Sequence, residues 1–342
     1  MASLSTTALA HAKAVLKPSR TIYTRADGSR YILRDDGSTR ELPQLDLTPS
    51  AFPIDTPRWT AAMAASTPSD PTRLRVVTWN MWFDHRDQAL RFDALIMQVL
   101  ALNPDVVCLQ EVTPQVLSAI EASALLQATY DHSPEPVYPY GCLVLARRTL
   151  HPAFATTPLP SKMGRSMVTC VVEGHMGALP GVVGTVHLES LNAPAVRAAQ
   201  LRACAAALAP HANAVLCGDF NFDDTQAWGD WHRKECDRLT PLENDVLGIA
   251  LPEFEDVWPL LCPGVRGATF DGAHNAVCIA DRHEIMRYDR VLIKRGQWHA
   301  TSIALLGEEA LDDTGIKISD HYGLVVDCTV ADPRCALDAT EL

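Results

Sequence analysis

No basic run interrupts this sequence, and acid outweighs base: 41 Asp and Glu stand against 29 Lys and Arg, for a formal net charge of −12. A protein that grips nucleic acid with a broad basic surface is built otherwise, so any phosphate chemistry here must be local. Long hydrophobic runs are missing as well. Nothing approaches the ~20 consecutive apolar residues of a membrane-spanning helix, which excludes an integral helical membrane protein. Patterned cysteine is also absent. The ten Cys, at 108, 142, 170, 204, 217, 236, 262, 278, 328 and 335, form no Cys-x-x-Cys pair, and several sit in apolar runs such as Val106-Val107-Cys108-Leu109. Zinc sites and disulfide frameworks need closer, repeated spacing. These thiols therefore read as small buried hydrophobes of a reducing compartment, the nucleus or cytoplasm. There is no internal repeat and no low-complexity tract.

What is present is an ordinary globular composition, 47% hydrophobic over 342 residues, enough chain to bury about three quarters of its unfolded surface. Residues 1–26 hold Lys13, Lys17, Arg20 and Arg25 with many Ser, Thr and Ala and no acid. Such a segment is expected to be a disordered tail or an organelle-targeting leader. Residues 27–73 form an extension: Asp27-Gly28 and Asp36-Gly37 mark short hairpins over 20–43, and 47–71 is a Pro/Ser/Thr-rich linker. From 74 to 330 the pattern changes to apolar strand-length runs separated by amphipathic helices, and 331–342 is a C-terminal tail. The runs are Val76–Trp79, Val106–Leu109, Cys142–Ala146, Met167–Val172, Val182–Val186, Ala214–Cys217, Val291–Ile293 and Leu324–Val326. Helical spacing appears in Phe92, Leu95, Ile96, Val99 and Leu100, and again in Leu201, Cys204 and Leu208. Strands apolar on both faces are covered on both faces. The expected fold is an α/β sandwich of four layers, two packed mixed sheets with helices outside.

The polar residues fall at the strand ends. Asn80, Gln110-Glu111, His187-Leu188-Glu189-Ser190 and Asp219-Phe220-Asn221 follow apolar runs, while Arg287-Tyr288-Asp289-Arg290 and Ser319-Asp320-His321 precede them. Such ends converge on one rim of a sandwich, where a cleft forms. Asn80, Glu111 and Asp320 offer oxygen and no sulfur, a donor set for Mg²⁺, or Mn²⁺, and not zinc. His187 and His321 are candidates to contact a phosphate oxygen. Asp219 and Asn221 are candidates to hold and deprotonate a water on the opposite side. Phosphoryl transfer asks for these parts: a metal, hydrogen-bonding clamps and an in-line nucleophile.

Through Thr78-Trp79-Asn80, Leu109-Gln110-Glu111, Gly218-Asp219-Phe220-Asn221 and Ser319-Asp320-His321 the chain resembles the endonuclease/exonuclease/phosphatase superfamily, which has the DNase I-like fold. Within it, His187-Leu188-Glu189-Ser190, Met163-Gly164-Arg165, Asp219–Asp224, Thr269-Phe270-Asp271 and Arg287–Arg290 are most similar to the type 2, 5′-tyrosyl-DNA phosphodiesterases. The resemblance spans about residues 74–330. It implies a monomeric, Mg²⁺-dependent hydrolase of the bond joining a protein tyrosine to a DNA 5′ end, serving repair of topoisomerase adducts. It also implies that Asp289 orients His321, and that Arg165 is a clamp for phosphate or the DNA end. Glu189 and Ser190 stand as substrate-side candidates or as loop anchors beneath the site. The animal-type motif carries Arg two positions after Asn221. Here Asp223 stands there, as in the plant and protist branch, which leaves the shape of the phosphate pocket open. A same-fold hydrolase of another phosphoester (a deadenylase, sphingomyelinase or phosphoinositide phosphatase) and an inactive binding module are the rival readings. Arg197, Arg202, Lys294 and Arg295 read as surface charges, and Trp228, Trp231 and Trp258 as base-stacking candidates or loop anchors.

Overall fold

The computed structural model describes residues 22–24, 30–33, 39–41, 70 and 72–330, except 134–137, 174–179, 233–241 and 279–281. The expected C-terminal tail at 331–342 lies outside these residues, as do the linker at 47–71 apart from Asp70 and the N-terminal tail at 1–26 apart from Ile22–Thr24, which is a strand and not a free tail. In the extension, Ile22–Thr24, Arg30–Leu33 and Thr39–Glu41 pair antiparallel as a three-stranded meander.

Two six-stranded mixed sheets form the body. The first runs, edge to edge, Trp298–Leu306, Gly323–Val330, Leu74–Asn80, Val106–Val112, Gly141–Arg147 and Tyr130–His132. The second runs Phe254–Asp256, Asp289–Lys294, Asn213–Asp219, Gly181–His187, Ser166–Val172 and Ala153–Pro158. All eight strand-length runs read from the sequence are strands. Their inward residues fill one core between the sheets, built from Val76, Val106, Cys108, Val144, Cys170, Val183, Val215, Cys217, Val291 and Val326. Cys108, Cys170 and Cys217 there are free thiols, as are the other cysteines among the described residues.

Each sheet contains one parallel pair, and each pair is joined by a helix. Leu74–Asn80 lies parallel to Val106–Val112 across the helix Gln88–Leu102, and Gly181–His187 lies parallel to Asn213–Asp219 across Pro194–Leu208. A parallel pair needs such a crossover, and its helix covers the outer face of the sheet. Leu95, Val99 and Leu100 do so on the first sheet, and Leu201, Cys204 and Leu208 on the second. The two parallel pairs end together: Asn80 is in register with Gln110, and His187 with Asp219. The expected rim is thus the meeting of two crossover units, one from each sheet.

Several sequence readings change. Asp289 and Arg290 do not precede a strand; they begin it, and Asp289 pairs with Asp219. Arg197 is no surface charge. It is fully buried, bidentate to Glu243, and donates to the Glu189 and Leu191 carbonyls. Lys294 is buried too, and its ammonium caps the end of the Pro194–Leu208 helix through the carbonyls of Leu208, Ala209 and His211. Trp258 packs into the core with its indole N–H on the Val265 carbonyl, so it is unavailable to a nucleobase.

Gly218 shows how closely the second crossover is fitted. Its φ is +126°, and a Cβ there would lie 2.1 Å from the Val186 carbonyl oxygen. Gly218→Ala is expected to destabilise the fold by ~3 kcal/mol or more, because neither the backbone angle nor the neighbouring strand can give. Thermal melting of the purified variant checks this; a shift of only a degree or two would show that the strand end relaxes.

Candidate active site

Polar groups from both sheets meet at the rim. Asp219 is at the centre, 1% exposed, and its partners come from two strand ends and two connecting segments. One carboxylate oxygen accepts from the Asn221 backbone N–H at 2.9 Å. The other accepts from the Asn80 amide at 3.0 Å and lies 3.4 Å from His187 Nε2 and 4.0 Å from His321 Nε2. Burial alone would raise the Asp219 pKa, but both imidazoles and these hydrogen bonds overcome it and hold the carboxyl below its ordinary value. Asp219 is therefore a fixed anion.

The two histidines differ in charge. His321 places Nδ1 2.7 Å from Asp289 Oδ2. Burial opposes its positive charge, yet Asp289 and Asp219 outweigh burial and raise its pKa well above the usual value. It is a buried imidazolium whose contribution to stability is complete below the ordinary histidine range and fades as pH rises through the raised pKa. His187 is the reverse. Burial lowers it to about 3, against the pull of Asp219 and with the added opposition of Arg165. Arg165 Nη1 sits 3.1 Å from His187 Nδ1. A guanidinium can only donate, so Nδ1 must accept, and the neutral ring carries its proton on Nε2, facing Asp219.

This assignment has a measurable consequence. Unfolded His187 takes a proton near pH 6.5 and the folded residue does not, so acidification from 6.5 toward 3 favours the unfolded chain by up to ~1.4 kcal/mol per pH unit. The melting temperature of His187→Gln should fall less steeply with pH over that window than that of the wild type. Parallel slopes would mean that His187 is charged in the fold.

The other side of the cleft belongs to the first sheet. Glu111 sits at a bulge, with φ 59° and the strand register shifting between Leu109 and Val112. A left-handed glutamate carries strain of ~1 kcal/mol or more, which the surrounding hydrogen bonds must hold. One of them comes from the Phe83 N–H, 2.8 Å from Oε2. Burial, reinforced by the negative charge of Asp320, pushes Glu111 up to about 7. Asn80 Oδ1 accepts from the Trp82 N–H while its amide nitrogen serves Asp219. Ser319 fixes the last segment, donating to the Asn80 carbonyl and accepting from the His321 N–H. On the other side of the cleft, Asp219, Asp289 and His321 also bring ligand atoms within 4.8 Å of one another, close enough to hold a metal ion.

The remaining candidates occupy a flank. Arg165 is buried, and its guanidinium lies 5.5 Å from the centre of the Tyr140 ring. Phe83 stacks on Tyr140 with ring centres 4.8 Å apart and planes 2° from parallel. Glu189 does not present a free carboxylate: it accepts from Ser161 Oγ at 2.6 Å and the Lys162 N–H at 2.9 Å, with the Gln200 amide beside it. Its position is that of the loop anchor, fastening the segment that carries Arg165. Ser190 Oγ reaches the Met163 sulfur of the same segment. Asn221, with φ 56°, donates its amide to the Leu188 carbonyl. Asp223 is turned into an ion network, accepting from Arg266 and the Arg287 N–H at one oxygen and capping Thr225 and Gln226 with the other. It braces the segment leading to Asp289.

A family model described as the endonuclease/exonuclease/phosphatase family matches residues 77–321. The chain belongs to this family. It is a phosphoesterase with the DNase I-like fold, and solved structures agree on that architecture. TDP2 of D. rerio, in complex with a single-strand DNA product, superposes with a TM-score of 0.63 at 22% identity, covering 75% of this chain and 99% of that one. Truncated C. elegans TDP2 gives 0.60 at 21%, covering 75% and 98%. The human Nocturnin catalytic domain gives 0.55 at 17%, covering 76% and 94%. No curated protein matches the sequence.

Gln110, Thr269 and Phe270 stand in motifs of the sequence, but their roles in this phosphoesterase site were not visible there. Gln110, fully buried, donates its amide to Thr78 Oγ1 in one sheet and Thr185 Oγ1 in the other, bridging the layers beneath the cleft. Thr269 Oγ1 accepts from the Asp289 N–H, and Phe270 packs against the His321 ring. Tyr140 and Phe83 had no signal beyond being aromatic. Their spacing in sequence does not foretell the stack.

Proposed function

We propose that the chain hydrolyses a phosphodiester whose leaving group is aromatic, the phenol of a tyrosine joined to a DNA 5′ end, with Mg²⁺ as cofactor. The observation that carries this reading is the flank of the cleft: the Arg165 guanidinium over the Tyr140 ring, Phe83 stacked on that ring, and His187 beside both. A planar cation and aromatic faces next to the reacting groups suit a phenolate better than an alkoxide.

In this reading Asp219, aligned by Asn221 and Asn80, receives a hydrogen bond from water and takes its proton as the oxygen attacks phosphorus in line. Charged His321, held by Asp289, and the Nε2–H of His187 stabilise the non-bridging oxygens as negative charge grows on them. Arg165 faces the departing phenolate. Glu111, with Asn80 and Asp320, would hold Mg²⁺; burial beside a second carboxylate leaves Glu111 only partly ionised near neutrality unless a cation compensates, and the all-oxygen set fits a hard ion. The bound ion supplies charge neutralisation at the phosphate.

The test is a substrate panel with purified protein and Mg²⁺: 5′-tyrosyl, 3′-tyrosyl and abasic oligonucleotides, adenylated RNA, a 2′,3′-cyclic phosphate and sphingomyelin. The 5′-tyrosyl oligonucleotide should be turned over at least about tenfold faster than any other. Preference for a substrate lacking the aromatic group would favour a sibling activity of the family, which the net charge of −12 also accommodates; inertness on all would point to a binding module.

A further inference from the structure

We propose that Arg91 is the positioning residue for the metal side of the cleft, fixing both chain segments that present Asn80, Glu111 and Asp320. The proposal rests on the reading that these three residues hold Mg²⁺.

Arg91 lies in the Gln88–Leu102 helix and is 2% exposed. The hydrogen bonds its guanidinium makes among the described residues all go to backbone carbonyls. Nε donates to Arg86, Nη1 to Met81 and Ile318, and Nη2 to Trp82 and Asp84. Four of these five carbonyls belong to residues 81–86, the turn that leaves Asn80. That turn includes Phe83, whose N–H holds the Glu111 carboxylate. The fifth belongs to Ile318, two residues before Asp320. One planar group therefore ties the segment after Asn80 to the segment before Asp320, with Glu111 attached to the first of them through Phe83.

The way this cation is satisfied is unusual. A buried arginine is generally matched to a carboxylate, because an unpaired buried charge is expensive. Here carbonyl dipoles solvate the guanidinium, which also lies 4.6 Å from the centre of the Trp82 ring, with the Arg86 guanidinium 4.4 Å from the same ring. Among the described residues no carboxylate is hydrogen-bonded to this guanidinium. Burial lowers Arg91 only to about 10, so it is charged throughout the neutral range. Arg91 thus sets the spacing of the ligands before the ion arrives. Lysine could not substitute: three donors on a point charge cannot span five carbonyls arranged around a plane.

The test compares wild type, Arg91→Lys and Arg91→Gln by calorimetric titration with Mg²⁺ in the absence of substrate, by melting temperature without metal, and by turnover at saturating Mg²⁺. Arg91→Lys should weaken Mg²⁺ binding at least about tenfold, while turnover at saturating Mg²⁺ recovers to within about threefold of wild type. A lower melting temperature with unchanged Mg²⁺ affinity would reduce Arg91 to a structural strut and overturn the proposal. So would lost turnover with unchanged affinity. If Arg91→Lys does not fold, Arg91→Gln, which keeps two N–H donors and drops the charge, is judged by the same two readings. Wild-type protein that binds no Mg²⁺ at all would instead defeat the reading on which the proposal rests.

Discussion

Asp289→Asn is expected to lower turnover by about 10²- to 10⁴-fold, the range seen when an orienting carboxylate or a charge-stabilising donor is lost. The 2.7 Å contact with His321 Nδ1 is the source. An amide can still accept from Nδ1–H, but it no longer sustains the charge on the ring, and the buried imidazole would become neutral. His321→Ala removes the same unit from the other end. The two losses should therefore be far from additive, with the double variant little worse than His321→Ala alone. Mg²⁺ affinity measured by calorimetry should change little in any of the three. If the losses multiply independently, or if Asp289→Asn abolishes Mg²⁺ binding, the pairing is not the working unit. Asp289 would then join Asp219 and His321 as a metal-holding group, a role their 4.8 Å proximity permits.

Glu111→Gln should abolish Mg²⁺-dependent activity, a loss of at least about 10³-fold, together with calorimetric binding of the ion. The same substitution has an opposite signature in stability. Glu111 is pushed up to about 7 in the fold, so the folded state holds a proton there that the unfolded chain has released above about pH 4.5. An acid with a raised folded pKa loses stability as pH rises through that value. Metal-free Glu111→Gln avoids the loss and keeps an oxygen to accept from Phe83, so above pH 7 it should be more stable than metal-free wild type by on the order of 2 kcal/mol. Activity falls while the melting temperature rises. A variant that loses both would show that Glu111 is a structural partner of the turn at Phe83 and not a ligand held at electrostatic cost.

The strands of the two interior layers were legible because both their faces are covered, which makes each a short apolar run such as Val76–Trp79 or Ala214–Cys217. The four edge strands, Tyr130–His132, Ala153–Pro158, Phe254–Asp256 and Trp298–Leu306, were not. In Trp298–Leu306 inward and outward positions alternate, and Ala300, Thr301, Ser302 and Ala304 dilute the pattern. The helix Pro114–Ala122 was missed as well, although Thr113 caps it and Pro114 opens it. Its two buried residues, Val116 and Ile120, are too few to set a period. In the site, side chains that end strands could be named one by one from sequence, but their state could not. Whether a histidine is charged depends on which partner reaches it. His321 meets Asp289 from 32 residues away, and His187 meets Arg165 from 22. The same limit explains Arg197 and Lys294, whose burial depends on Glu243 and on a helix end in a separate part of the chain.

The order in which the sheets are threaded has a consequence for how activity is acquired. The second sheet is drawn entirely from residues 153–294, whereas the first is begun by residues 74–147 and finished only by 298–330. Asp320 and His321 lie at the return, just before Leu324 pairs with Thr78. That pairing joins positions nearly the whole domain apart, a closure that pays its entropy before any contact rewards it. During synthesis Asp219, Glu111 and Asn80 all emerge well before their last partners do, so the nascent chain carries an incomplete set of reacting groups until the final hairpin forms. In refolding from denaturant, hydrolytic activity should accordingly return in the slowest kinetic phase, after the bulk of the secondary structure and together with the burial of Trp79, whose indole N–H donates to the His321 carbonyl.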